Sequence, residues 1–349
     1  MPWSNNSSEP ARRARRLAGL LAFRRRPARP GETPRDIRFG LPLLLVGCAL
    51  LSLAPLLSQP DRFMPEPLAA MPRWSDEPIQ PILTPPVGDP KRVALGRDLF
   101  NDGRLSGSGK LPCAACHDVA ANGSLPGRGS MSLDNPTVFN TGLSFRLGWQ
   151  GRDRTLEDQA LATLKTPAIA HGVPLERMIA RLRNDAELME RARAVYGRDL
   201  DQAAVVDAIA AYERSLVTPG SRFDRWLTGD QSALSAQERR GYAQFKQLGC
   251  ISCHQGRNVG GNLLQRHGIF RPLASPNPRV LRVPSLRNVE VTPPYFHDGS
   301  APTLEIAVTR MAASQLDVDL GAQDAGDIAA FLRSLTGTYQ GRPLRRTRQ

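Results

Sequence analysis

From Val93 onward the apolar positions recur at intervals of three and four, the spacing that lines one face of an α-helix. The segment Pro174–Tyr196 puts Leu175, Met178, Ile179, Leu182, Ala186 and Met189 on one side, which predicts a surface helix. Asp201–Val217 repeats the pattern with Val205, Ile209, Tyr212 and Leu216. Ser235 and Glu238 carry the Ser-x-x-Glu signature of a capping box and predict a helix start. Ala322–Leu335 predicts a closing helix. Strand-like alternation is scarce, so the expected fold class is all-α. Earlier in the chain, Phe39–Leu57 runs 19 residues without a charge, just enough to cross a bilayer as a helix. Residues 58–92 are rich in proline and predict an extended spacer between membrane and body.

The pattern in the body occurs twice. Gly96-x-x-x-Phe100 is matched by Gly241-x-x-x-Phe245, and Pro136-Thr-Val-Phe-Asn140 by Pro284-Ser-Leu-Arg-Asn288. Gly151 and Gly299 follow at equal spacing, then Thr155-Leu-Glu157 and Thr303-Leu-Glu305. A duplicated unit predicts two small helical domains, residues 93–218 and 219–340, with a short basic tail at 341–349.

Charge changes the picture only at the ends. The formal net charge is +13. Residues 1–38 hold ten arginines against Glu9, Glu32 and Asp36, and the residues after Tyr339 add four arginines and no acid. The body between them carries about +2, which argues against nucleic acid as a partner. The basic lead 1–38 ahead of the apolar segment keeps that end in the cytoplasm and sends the rest across. The expected location is the periplasm, with residues 39–57 as an inner-membrane anchor. A cleaved signal peptide, or lipidation at Cys48 in Leu45-Val46-Gly47-Cys48, are the alternatives for this segment.

Four of the five cysteines fall in Cys113-Ala-Ala-Cys116-His117 and Cys250-Ile-Ser-Cys253-His254. Cys-x-x-Cys-His is the c-type haem attachment sequence: two thiols add to the haem vinyl groups and the adjacent imidazole ligates iron. A zinc ribbon would space its two pairs far more closely than these lie. Two covalently bound haems are therefore expected. For the sixth ligand of the second haem the candidates are His267, His297 and Met311, and a methionine there raises the potential. The repeat aligns Met311 with Thr163 and His297 with Trp149. The halves then look unequal, with a closed haem in the second and an open one in the first.

These residues resemble the bacterial di-haem cytochrome c peroxidases, with the methylamine-utilisation (MauG-type) oxidases as a related branch. The likeness spans Val93–Gly337 and is most specific at Val283-Pro-Ser-Leu-Arg-Asn288, Pro294-Tyr-Phe-His-Asp-Gly299 and Met311. It implies two cytochrome c-like helical domains, each with one haem, and Met311 as distal ligand of the second; the oxidase branch has a tyrosine there. It implies calcium between the haems, with its contacts falling on Asp134, Thr292 and Pro294, and an inter-haem tryptophan at Trp149. It implies reduction of hydrogen peroxide at the His117 haem, electrons from a small cytochrome c or cupredoxin, and commonly a homodimer. Oxidation of a protein or organic substrate, or electron transfer without turnover, are the alternative functions. The chain departs from the family in two places. No histidine lies between His117 and His171, so the first iron is open unless Met131 fills it. The family glutamine falls on Gln159, but the family glutamate falls on Ile169, which cannot move a proton; the nearby His171 is the candidate substitute.

Overall fold

The computed structural model describes residues 76–84, 88–125, 134–276 and 278–346. The basic lead, the apolar segment 39–57 and Met131 lie outside the described residues. Among the described residues no helix is long and apolar enough to cross a membrane.

The fold is mostly helical. The first half contains α1 (Pro90–Phe100), α2 (Leu156–Leu164), α3 (Pro167–Ala170), α4 (Leu175–Leu182), α5 (Ala186–Tyr196) and α6 (Gln202–Ser215). The second contains α7 (Arg222–Leu227), α8 (Ala236–Gln247), α9 (Leu304–Leu316) and α10 (Ala322–Arg333). Two short antiparallel pairs, β1 (Leu264–Arg266) with β2 (Val280–Arg282) and β3 (Thr338–Tyr339) with β4 (Arg342–Pro343), complete it.

Each half is organised around one close helix crossing. α1 crosses α6 at Gly96, where a Cβ would strike the carbonyl of Ala208; α8 crosses α10 at Gly241, where it would strike that of Asp327. Glycine is needed there for backbone approach. Around the first crossing Leu95, Leu99, Phe100, Ile209 and Tyr212 bury their side chains. Around the second, Phe223, Tyr242, Phe245 and Phe331 do so. The duplication extends to backbone detail. Asn140 (φ 62°) and Asn288 (φ 61°) both take the left-handed conformation that asparagine tolerates. Isolated bridges join Leu147 to Asp153 and Tyr295 to Ala301, and Thr155 and Thr303 cap α2 and α9.

Where caps were legible, the helices start as the sequence predicts. Ser235 Oγ accepts the Glu238 N–H at 3.2 Å, and the Glu238 carboxylate accepts the Ser235 N–H at 2.8 Å. The predicted single helix over 174–196 is instead two. Asp185 caps a new start by accepting the Leu188 N–H at 3.1 Å, and a chain that satisfies those amides from a side chain has left the helix before them. The spacer also ends sooner than its prolines predict. Ile79 and Ile82 are 0% and 2% exposed and sit against the second half. The Gln80 carbonyl accepts from Arg287 Nη2 at 2.8 Å, and the Ile82 N–H donates to Asp224 at 3.2 Å. Nor is the end of the chain only a basic tail, because Leu344 enters the first core.

Candidate functional site

The two Cys-x-x-Cys-His segments fold alike. Cys113–Ala115 and Cys250–Ser252 each make one 3₁₀ turn, and the N–H groups of His117 and His254 return to the carbonyls of Cys113 and Cys250, both at 3.0 Å. Each turn opens onto a cavity. The larger, about 380 Å³, is lined by Cys113, Cys116 and His117; the smaller, about 200 Å³, by Cys250 and His254. The cysteines are not paired as disulfides. Burial pushes the Cys113 thiol up to about 12 and the Cys250 thiol up to about 11. Among the described residues no three His, Cys, Asp or Glu side chains form a metal-binding group.

Both imidazoles are kept neutral by burial. His254 is pushed down to about 4, against the pull of the Val259 and Pro284 carbonyls, and His117 is lowered as well. Nδ1 of His117 lies 3.1 Å from the Gly123 carbonyl. An Nδ1–H donated there leaves the Nε2 lone pair for a metal, the usual arrangement of an imidazole ligand.

The walls of the cavities differ. α9 presents Leu304, Ala307, Val308, Met311 and Ala312 to the smaller one, one face of a helix with a thioether in it. The other sequence candidates do not line either cavity. His267 Nε2 is 2.9 Å from the Pro278 carbonyl, and His297 Nε2 is 3.1 Å from that of Ser275. On the larger cavity α2 presents Gln159 and Thr163, with Gln159 Nε2 donating to Thr163 Oγ1 at 2.9 Å. Ile169 lines the same cavity. The expectation for His171 is corrected: it is exposed, caps α3 in the left-handed conformation at φ 46°, and lines neither cavity.

Asp134, Trp149 and Arg282 line both cavities. Trp149 Nε1 donates to the Asp134 carbonyl at 2.8 Å, and the Trp149 ring centroid lies 6.1 Å from that of His297. The Asp134 N–H reaches the His297 carbonyl at 2.7 Å. Thr292 and Pro294 line the smaller cavity with Asp134.

Two residues of this site were not singled out in the sequence. Arg282 is 8% exposed, and burial lowers its guanidinium to about 10. It donates from Nε to the Gly148 carbonyl at 3.0 Å and makes no ion pair among the described residues. A buried cation without a carboxylate suits an anionic group in the cavity. Glu213 on α6 is 7% exposed and lines the larger cavity. Its signal was present: it stands four residues after Ile209, beside the apolar stripe of a helix. The turn geometry, neutral imidazoles, apolar walls and unpaired cation fit a haem in each cavity.

Residues 90–232 match a family profile described as di-haem cytochrome c peroxidase. The chain is 38% identical to the cytochrome c551 peroxidase of Nitrosomonas europaea over 292 residues, covering 75% of this chain and 85% of that protein. It is 37% identical to the cytochrome c peroxidase Ccp of Escherichia coli, covering 77% of this chain and 63% of the relative's length. Among solved structures, a MauG-like protein associated with microbial copper homeostasis superposes with a TM-score of 0.62 at 26% identity, over 74% of this chain and 93% of that one. With relatives this similar over this much of its length, the chain belongs to the di-haem cytochrome c peroxidase family.

Proposed function

We propose that the two cavities divide the work of peroxide reduction, and that each belongs to one haem domain, residues 93–218 and 219–340. Cys113 and Cys116 would hold the first haem covalently, with His117 as the residue that ligates its iron. Cys250 and Cys253 hold the second, with His254 and Met311 on its iron. When bound, the haems would supply the one-electron redox chemistry that carries electrons from a donor protein to hydrogen peroxide.

The chain's own residues do the rest. An Nδ1–H donated to the Gly123 carbonyl would leave the His117 Nε2 lone pair free to hold iron. Arg282 sets a positive charge against the carboxylates that a haem carries, on the wall shared by both cavities. Thr163 holds the Gln159 amide at the larger cavity, where it can hydrogen-bond peroxide. Asp134 and the carbonyls of Thr292 and Pro294 are the candidate calcium contacts, an oxygen set suited to that cation. Trp149 lies on the path between the haems. The donor is a small cytochrome c or cupredoxin, and the body works in the periplasm, held to the inner membrane by residues 39–57.

The observation that carries this reading is the inequality of the two cavities: a thioether at Met311 faces the smaller, and Thr163 stands in the matching place of the larger. Holoprotein mixed with reduced cytochrome c and peroxide should consume both in a ratio of two electrons per peroxide. Met311→Ala should lower the potential of one haem and leave the other. Turnover no faster than free haem, or an unchanged potential, would overturn the assignment.

A further inference from the structure

Reducing hydrogen peroxide breaks the O–O bond and makes two waters, using two electrons from the donor protein and two protons. The electrons are accounted for; the protons are not. Gln159 can hydrogen-bond but holds no proton to give near neutral pH. Ile169 lines the cavity but has no proton to give, and His171 does not line it. Among the described residues, three other acids line it: Asp102, tied to Arg104 at 2.6 Å, Asp134, the candidate calcium contact, and Asp153, which is only partly buried.

Glu213 is different. It is buried, it lines the cavity four residues beyond Ile209, and its Oε2 has no hydrogen-bond partner. The duplication supplies an internal control. Ala208 on α6 and Asp327 on α10 mark the same point of the two helix crossings. The next residue is isoleucine in both helices, Ile209 and Ile328, and each lines its own cavity. The fifth residue is Glu213 in one and Leu332 in the other, again each lining its own cavity. One helix position thus presents leucine to the cavity with Met311 and a carboxyl to the cavity with Thr163. Leucine would fill that place without the cost of burying a polar group, so packing alone does not account for the glutamate.

We propose that Glu213 is the proton-transfer group of the peroxide-reducing cavity: its carboxyl gives its proton to the departing oxygen as the O–O bond breaks, and it is reprotonated from solvent. This deepens the reading of that cavity as the peroxide site and rests on it. Burial raises the Glu213 carboxyl to about 8, which keeps it protonated at neutral pH. The charges facing it are Arg214 on its own helix, which lowers it, and Glu157 on α2, which raises it; these two pair with each other at 2.6 Å. From the haem-attachment turn it faces the Cys113 thiol, which carries no charge once bonded to haem.

The test uses the full-length holoprotein with Glu213→Gln, Glu213→Asp and Glu213→Leu. The Gln and Leu variants should lose about a hundredfold or more in kcat, the usual scale for a general acid. Haem content, visible spectrum and donor KM should stay as in the parent, and Asp should restore part of the rate. The parent's rate should fall above pH about 8, and that limb should vanish in the Gln variant. Infrared difference spectra between acidic and alkaline pH should show a protonated-carboxyl stretch in the parent and none in Glu213→Gln. Parental kcat in the Gln and Leu variants, or an infrared band that persists in Glu213→Gln, would overturn the role of Glu213 alone. A parent protein that consumes no peroxide would overturn the peroxidase reading and this proposal with it.

Discussion

A carboxyl buried at Glu213 changes stability as well as chemistry. Its ordinary pKa is 4.5 and burial raises it to about 8 in the fold. Between those values the folded protein holds a proton that the unfolded chain has released, so stability must fall as pH rises through that window. The contribution is complete below about pH 4.5 and gone above about pH 8. Denaturant midpoints of the parent should decline across this range more steeply than those of Glu213→Gln, which has no proton to lose. Equal slopes would show the carboxyl to be solvated and ionised. How far such residues could be read from sequence follows from what each one signals. Cys113, Cys116 and His117 lie adjacent in the chain, and the motif states its chemistry. Glu213 and Arg282 acquire meaning only from what stands opposite them, and that is set by the fold. His171 failed for the reverse reason. It is near Ile169 in sequence, but it caps α3 in the left-handed conformation, is exposed and lines neither cavity.

At the level of elements, caps were legible, because a Ser-x-x-Glu box acts through its nearest neighbours; the glycine crossings were not, because Gly96 and Gly241 act against Ala208 and Asp327, far along the chain. The break between α4 and α5 was harder, since the apolar period continues across it and only Asp185 marks it. The segment at 79–82 shows what prolines conceal. It is fastened by one ion pair: Arg287 Nη1 meets Asp224 Oδ1 at 2.7 Å, with side chains 1% and 4% exposed. The same carboxylate accepts the Ile82 N–H, and the guanidinium donates to the Gln80 and Arg257 carbonyls. Breaking such a pair from one side leaves a buried charge unmatched. Arg287→Met should therefore cost about 3–5 kcal/mol in unfolding free energy. The double variant Arg287→Met with Asp224→Leu should recover much of that loss, because it removes the stranded charge. A double variant as unstable as the sum of its parts would mean that the lost contacts to the 79–82 segment, rather than the charge, dominate.

The duplication ties these levels together over the whole molecule. Both halves keep the crossing glycine, the left-handed asparagine and the capped helix after it, because these position a haem-attachment turn against a helix pair. They differ where function divides: Thr163 against Met311, Glu213 against Leu332, Trp149 against His297. The last pair is the informative one, since its two rings lie 6.1 Å apart on the boundary between the cavities. Repeat-equivalent positions have been brought face to face, and one of them, Trp149, lines both cavities. A tryptophan there is either simple packing or the conductor between the haems, and Trp149→Phe separates the two. Phenylalanine keeps an aromatic ring but loses the Nε1–H bond to the Asp134 carbonyl, at a stability cost of about 1 kcal/mol. If the indole is only packing, that loss is the whole effect. If it carries electrons, stopped-flow mixing of fully reduced holoprotein with peroxide should show slower oxidation of the haem in the smaller cavity. The potentials and spectra of both haems should stay unchanged in that case. An unaltered rate in the phenylalanine variant would show the indole to be packing, on a wall that the Arg282 N–H already ties to the Trp149 carbonyl at 2.7 Å.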